Sequence, residues 1–221
     1  MNYLSELEKR YQKHEDKERA AKMARYMKDQ FEFFGIPSPK RNEIEKEFLK
    51  QHGKPAVKQL PALIKEAYSK PQREFQYFII GLTCGYVKKE LAEDFIETAR
   101  YMLVTKSWWD SVDWIAAWIV GGLVKKYPDL TSVMDEWIES DNMWLQRTAI
   151  LHQLKYKEQT DEQRLFEYCR KCASSKEFFI RKAIGWSLRE YAYTNSRAVK
   201  KFVKETELSP FSKRDALKRI G

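Results

Sequence analysis

The residues best suited to chemistry lie in the stretch KSWWDSVDWIAAWIVGGLV, Lys106 to Val124. Two adjacent tryptophans, Trp108 and Trp109, are followed by Asp110, Asp113 and a third indole, Trp114, at the head of an apolar helical run. Ser107 fits an N-cap. Both aspartates fall in the first two turns, where negative charge meets the positive end of the helix dipole. Trp109 and Asp113 are four residues apart and share a helical face. Asp110 points elsewhere. Spacing alone leaves two readings open: dipole complement with a core aromatic, or a carboxylate and an indole presented together to a ligand.

Two later segments repeat the association of tryptophan with charge. In SDNMWLQRTAILHQLKYK, capped near Ser140 or Asp141, Trp144 and Arg147 are three residues apart and neighbours on one face. In SSKEFFIRKAIGWSLREYAYTNS, Lys182, Trp186, Arg189 and Glu190 share a face, while Phe178, Phe179 and Ile184 read as core. Each tryptophan taken singly could be core filler and each arginine a surface charge. Indoles interleaved with cations are also what a surface needs to grip phosphates and stack on sugars or bases.

The elements that must position these residues are helices. Nearly every segment has the i, i+3, i+4 apolar spacing of an amphipathic helix. Residues 2–13 place Leu4, Leu7 and Tyr11 on one face, and Asp16 caps a second helix running to Gly35. Ser38 and Pro39 fit the N-cap and first position of a third. The central helix runs over 107–127 and stops at Pro128; later ones read at 130–140, 142–155, 161–173, 177–193, 196–207 and 212–220. About a dozen helices with short connectors and no credible strand predict an all-α fold. The expected architecture is an α-solenoid of stacked antiparallel HEAT-like helix pairs, curved around a concave groove. No Gly, Ser or Pro linker divides the chain, so residues 1–221 read as a single domain.

Composition narrows the function. Aromatics make up 14% of the chain and hydrophobic residues 43%, which excludes a disordered protein. No apolar run has membrane-spanning length, and the charged N-terminus MNYLSELEKRYQKHED does not read as a signal peptide, so a cytosolic protein is expected. Residues 1–140 hold 23 Lys+Arg against 22 Asp+Glu, whereas residues 141–221 hold 18 against 10, so the last third carries +8 of the net +9. That asymmetry suits a polyanion. Cys169 and Cys172 form a C-x-x-C without a second ligand pair or a nearby histidine. Reduced, structural cysteines and no metal are expected. His14, His52 and His152 are scattered and suggest no catalytic cluster.

The segments SWWDSVD (107–113), NMWLQRTAI (142–150), KEFFIRKAIGW followed after Ser187 by LREYA (176–192), and MARYMKDQF (23–31) together resemble the AlkD family. These are bacterial DNA alkylation repair enzymes, HEAT-like-repeat DNA glycosylases. The resemblance runs in order from the second helix almost to the C-terminus. It implies that Asp113 is the catalytic aspartate and that Trp109 and Trp186 are the aromatics flanking the damaged nucleotide. Arg147 and Arg189 match basic residues of the DNA-facing groove, Tyr26 an aromatic at its edge. Lys106 and Lys182 are added as basic residues of that surface, and Arg41, within Pro39-Lys40-Arg41, fits a family P-x-R pattern loosely. Within that resemblance a C-terminal tail after SKRDALKRI is expected to be missing, with an effect on affinity more than on chemistry.

The implied activity is hydrolysis of the N-glycosidic bond of cationic N3- and N7-alkylated purines, such as 3-methyladenine and 7-methylguanine, in duplex DNA. It would proceed with the lesion left stacked, and without metal, cofactor or lyase lysine, by a monomer in the bacterial cytosol. The alternative is a non-catalytic helical-repeat protein that binds damaged or branched DNA.

Overall fold

A computed structural model describes residues 3–220; Asn2, where the sequence reading starts the first helix, and the terminal Gly221 lie outside the described residues. Apart from one isolated bridge between Glu32 and Gln72, regular structure among the described residues is helical. The fold is all-α, as the periodicity predicts. The chain divides into two compact units, residues 1–86 and 87–221.

The first unit holds α1 (Tyr3–Gln12), α2 (Lys17–Tyr26), α3 (Ser38–His52), α4 (Leu60–Ser69) and α5 (Glu74–Cys84). Leu4, Leu7 and Tyr11 are buried on the predicted face of α1. The Asp16 carboxylate caps α2 by accepting from the Arg19 N–H at 2.9 Å. Helix α2 ends nine residues before Gly35, far short of the predicted close. Lys28 and Asp29 turn left-handed (φ 57° and 55°), and their N–H groups close on the Arg25 and Ala24 carbonyls. The following FEFFGI is an extended strap whose Phe33, Phe34 and Ile36 are buried. The buried Glu74 carboxylate accepts from the Gly35 N–H at 3.0 Å and lies 3.4 Å from that of Ile36. Gly35 has φ +84°, and a Cβ there would lie 2.2 Å from the Asp16 carbonyl oxygen. Helix α3 starts at Ser38 itself, preceded by Pro37, with no side-chain cap.

The second unit holds α6 (Phe95–Val104), α7 (Trp109–Trp114), α8 (Gly121–Lys126), α9 (Thr131–Ile138), α10 (Met143–Leu151), α11 (Glu162–Lys171), α12 (Phe178–Glu205) and α13 (Pro210–Leu217). Successive helices pack as pairs, α9 on α10 and α12 on α13. The predicted central helix is continuous from α7 through α8, with a π-helical segment, Ile115–Val120, between them. Ser107 is not its cap. The Ser107 hydroxyl donates back to the Leu103 carbonyl of α6 at 2.5 Å, and Trp108, in extended backbone, takes the N-cap position. Asn142 rather than Ser140 or Asp141 caps α10, accepting from the Trp144 N–H at 2.9 Å. The two helices predicted at 177–193 and 196–207 are α12, kinked at Asn195 (φ −139°, ψ 77°). The Asn195 side chain accepts from the Ala198 N–H and so starts the second arm. Gly185 lets α13 approach α12: a Cβ there would stand 2.7 Å from the Asp215 Cβ. Among the described residues no helix is long and apolar enough to cross a membrane.

Candidate active site

Three helices of the second unit meet at one depression. Helix α7 supplies Trp109 and Asp113, α10 supplies Arg147, and α12 supplies Phe178, Phe179, Lys182, Trp186 and Arg189. These eight residues line one open depression of about 350 Å³. The α7 pair is placed by i, i+4 spacing.

Asp113 is gripped by Arg147. The guanidinium donates in a fork, Nε to one carboxylate oxygen at 2.7 Å and Nη2 to the other at 2.8 Å. Its Nη1 donates to the Phe179 carbonyl. The Arg147 side chain is 2% exposed and that of Asp113 16%, so the pair forms the floor of the depression. Burial raises the Asp113 carboxyl above its ordinary value; the hydrogen bonds and charge of Arg147 act against this, and Asp110 adds to the rise. The result is an anion fixed in direction and denied full hydration, the form in which a carboxylate best stabilises a developing cation. Behind it Trp108, Trp144 and Phe179 pack together, with ring centroids 5.1–6.0 Å apart. Trp108 and Trp144 are therefore supports, while Trp109 and Trp186, both half-buried, border the opening.

The basic residues of the expected groove stand in different settings. Arg147 is buried on Asp113, which makes it a clamp for the carboxylate instead of a free phosphate contact. Lys182 and Arg189 line the depression but share one counter-ion: Asp215 of α13 accepts from the Lys182 ammonium at 3.1 Å and from the Arg189 guanidinium. Lys106 sits half-buried in the turn before α7 with φ +47°. Tyr26 (69% exposed) and Arg41 belong to the first unit. Arg41 is turned inward, 8% exposed, 3.2 Å from the Glu45 carboxylate and over the Tyr77 ring at 4.6 Å. That removes it from a solvent-facing phosphate contact.

The sequence reading missed two contributors. Phe178, read as core, is 59% exposed and forms a third aromatic wall. The signal was its place as the first residue of α12, two residues before the buried Ile180. Asp215 lies in a helix that carries no tryptophan, and no local pattern connects it to Lys182 or Arg189. Cys169 and Cys172 are free, buried thiols, pushed by burial to about 12 and about 11, far from nucleophilic range.

The fold and site together define an all-α protein of paired helices that holds a clamped carboxylate among indoles and cations. The family described as DNA alkylation repair enzyme matches residues 7–220. A solved structure described as a predicted DNA alkylation repair enzyme from Enterococcus faecalis superposes with a TM-score of 0.85 at 36% identity, covering 94% of this chain and 97% of that one. The structure of smu.31 from Streptococcus mutans UA159 shares the fold, with a TM-score of 0.61 at 18% identity over 82% of this chain and 98% of that one. No curated protein matches the sequence. The chain belongs to the DNA alkylation repair enzyme family.

Proposed function

We propose that this protein is a monofunctional DNA glycosylase that excises cationic N3- and N7-alkylated purines from duplex DNA. The observation that carries the reading is the Asp113 carboxylate, held in a fork by Arg147 at the floor of a depression walled by Trp109, Phe178 and Trp186. Alkylation places positive charge on the purine and makes it a good leaving group. As the N-glycosidic bond breaks, its electron pair leaves with the base, which departs neutral, and the deoxyribose takes on oxocarbenium character. Asp113 faces that charge and orients the water that adds to the sugar carbon and releases a proton. Indole faces attract the cationic nucleotide and the polarised C–H groups of the sugar.

The depression is open, which suits an enzyme that works from the backbone side and leaves the lesion in the stack, in contrast to those that enclose a flipped base. The test is release of 7-methylguanine and 3-methyladenine from alkylated duplex DNA by the purified protein. Asp113→Asn should retain DNA binding and lose about 10²–10³ in single-turnover rate, the scale for one preorganised charge. Release at the wild-type rate by Asp113→Asn, or no release by the wild type, would remove the proposal.

A further inference from the structure

Helix α12 forms a wall of two separate depressions. Trp186 and Arg189 line the candidate active site. Ser187 and Glu190 each stand one residue further, turned by about 100° around the helix, and line another depression of about 370 Å³. The end of α10, the connector 155–160 and Leu165 of α11 complete it. Its floor is apolar: Ile150 and Leu165 are buried and Leu154 is half-buried. Tyr191 and Tyr193 add aromatic surface at its side. Both the size and the mixture of an apolar floor with a few polar groups are those of a small-molecule site.

Four charges lie around this floor. Lys155, Lys157 and Glu158 come from the connector and Glu190 from α12. Their sum is zero, and among the described residues none of the four forms an ion pair. The connector that carries three of them is tied down. The Gln153 side chain, 6% exposed, accepts from the Asp161 N–H at 2.7 Å and donates to the Asp161 carbonyl at 3.3 Å. The Tyr156 hydroxyl donates to the Gly121 carbonyl at 2.6 Å. Lys157 is held left-handed at φ 53°, a conformation that a lysine rarely adopts, so its place at the rim is imposed by the fold.

Charge decides what such a rim can hold. A polyanion is repelled by Glu158 and Glu190, and a polyamine by Lys155 and Lys157. A small molecule with one charge of each sign and an apolar body finds a partner for every part. We infer that this depression is a binding site for a small apolar zwitterion, of the class of free α-amino acids and dipeptides. The ligand's carboxylate meets Lys155 and Lys157, its ammonium meets Glu190, and its side chain covers Ile150, Leu154 and Leu165. The Ser187 hydroxyl, one turn before Glu190, donates to the Ile184 carbonyl at 3.1 Å and so keeps acceptor capacity for the ammonium. Glu190 is half-buried, whereas the three connector charges are exposed and better screened, so Glu190 contributes most. The inference stands independently of the proposed function, since ligand and lesion meet different faces of α12.

The experiment titrates the full, isotope-labelled chain with L-leucine, L-phenylalanine and glycyl-L-phenylalanine up to millimolar concentration and follows the backbone amide resonances. At least one probe should saturate, with shifts centred on residues 150–160 and 187–194. The N-acetylated and C-amidated forms of the tightest probe keep one charge each. Both should bind about tenfold more weakly, the scale for one hydrogen bond to a charged group. Glu190→Gln should weaken the zwitterion about tenfold and leave the N-acetylated form unchanged. Lys155→Gln with Lys157→Gln should weaken the zwitterion and leave the amidated form unchanged. All three substitutions lie outside the core, so the variants fold. No saturation by any of the three probes overturns the inference, and so does equal binding of the free and capped forms. Tighter binding of inorganic phosphate or of spermidine overturns it as well, because one sign of charge would then suffice. Shifts centred on Trp109, Asp113 and Trp186 would place the ligand in the candidate active site and end the inference. An equal loss of the free and N-acetylated forms in Glu190→Gln would end it too, since Glu190 would then shape the depression without meeting an ammonium.

Discussion

The pairing of Asp113 with Arg147 serves two opposed requirements. The carboxylate must be poorly hydrated to act strongly on a nearby cation, yet a buried carboxylate without a partner takes up a proton. A guanidinium resolves the conflict better than an ammonium, because its planar fork fixes both oxygens. Arg147→Ala removes that restraint, and burial then raises the Asp113 carboxyl further. The active form is the anion, so the rate falls as pH drops through the carboxyl's folded-state value, and a raised value moves this acid limb upward. Arg147→Ala should therefore show its acid limb at higher pH than wild type, and should lose about 3 kcal/mol of stability for an orphaned buried charge. Single-turnover pH profiles and urea unfolding check both, and coincident acid limbs would show that Arg147 does not hold the carboxylate ionised. Trp109 and Asp113 were legible in the sequence because i, i+4 spacing is a local property. Their partner, 34 residues further on, was not, since helix packing alone decides which arginine reaches which aspartate.

At the scale of elements, local signals were dependable where a side chain made the cap and misleading where tertiary packing decided. Asp16 caps its helix as the sequence suggests, and Asn195 divides α12 at the predicted joint. The FEFFGI strap reads as helix because its apolar run has no period of its own; Glu74, which accepts from the strap's Gly35 N–H, lies 39 residues from that glycine. The π-helical segment likewise leaves no mark in the apolar run that contains it.

His152 follows α10 and shows what such packing does to a titratable group. It is fully buried, its Nδ1–H donates to the Ala149 carbonyl at 2.7 Å, and burial lowers it to about 4. A histidine lowered in the folded state contributes stability that is present above its unfolded value near 6.5 and is lost as pH falls towards 4. The loss amounts to roughly 3 kcal/mol, from about 2.5 units at 1.36 kcal/mol each. Glu45, Glu74 and Asp113, all raised by burial, work in the opposite direction, since their penalty is relieved as pH falls. The difference between wild type and His152→Gln isolates the histidine. Midpoints of urea unfolding should diverge for the two proteins between about pH 6.5 and pH 4, with the wild type falling faster. Parallel curves would mean that His152 accepts a proton without loss of packing.

Across the whole molecule, the distribution of charge by structural unit differs from its distribution along the chain. Residues 1–86 hold 17 Lys+Arg against 12 Asp+Glu, and residues 87–221 hold 24 against 20, so the units carry +5 and +4. Within the second unit, residues 87–140 hold 6 against 10 and residues 141–221 hold 18 against 10, a net of −4 followed by +8. Within the basic last third some cations are also paired locally, and Asp215 is the clearest instance, one carboxylate shared by Lys182 and Arg189. Both cations line the candidate site, so Asp215 limits how strongly they can draw phosphates while fixing where they stand. Asp215→Asn should separate these roles. With the shared counter-ion removed, binding to undamaged duplex should tighten, and its dependence on log salt should steepen by about 0.9 for each phosphate newly engaged. The freed side chains lose their orientation beside Asp113, so single-turnover excision at saturating enzyme should slow by about tenfold, some 1.4 kcal/mol of transition-state stabilisation. Tighter binding with slower chemistry would distinguish a positioning carboxylate from one that merely holds α13 on α12, whose loss would weaken both together. Salt titrations of undamaged duplex alongside excision of methylated duplex give the two readouts. An unchanged salt slope would show that Lys182 and Arg189 meet no phosphate even when released.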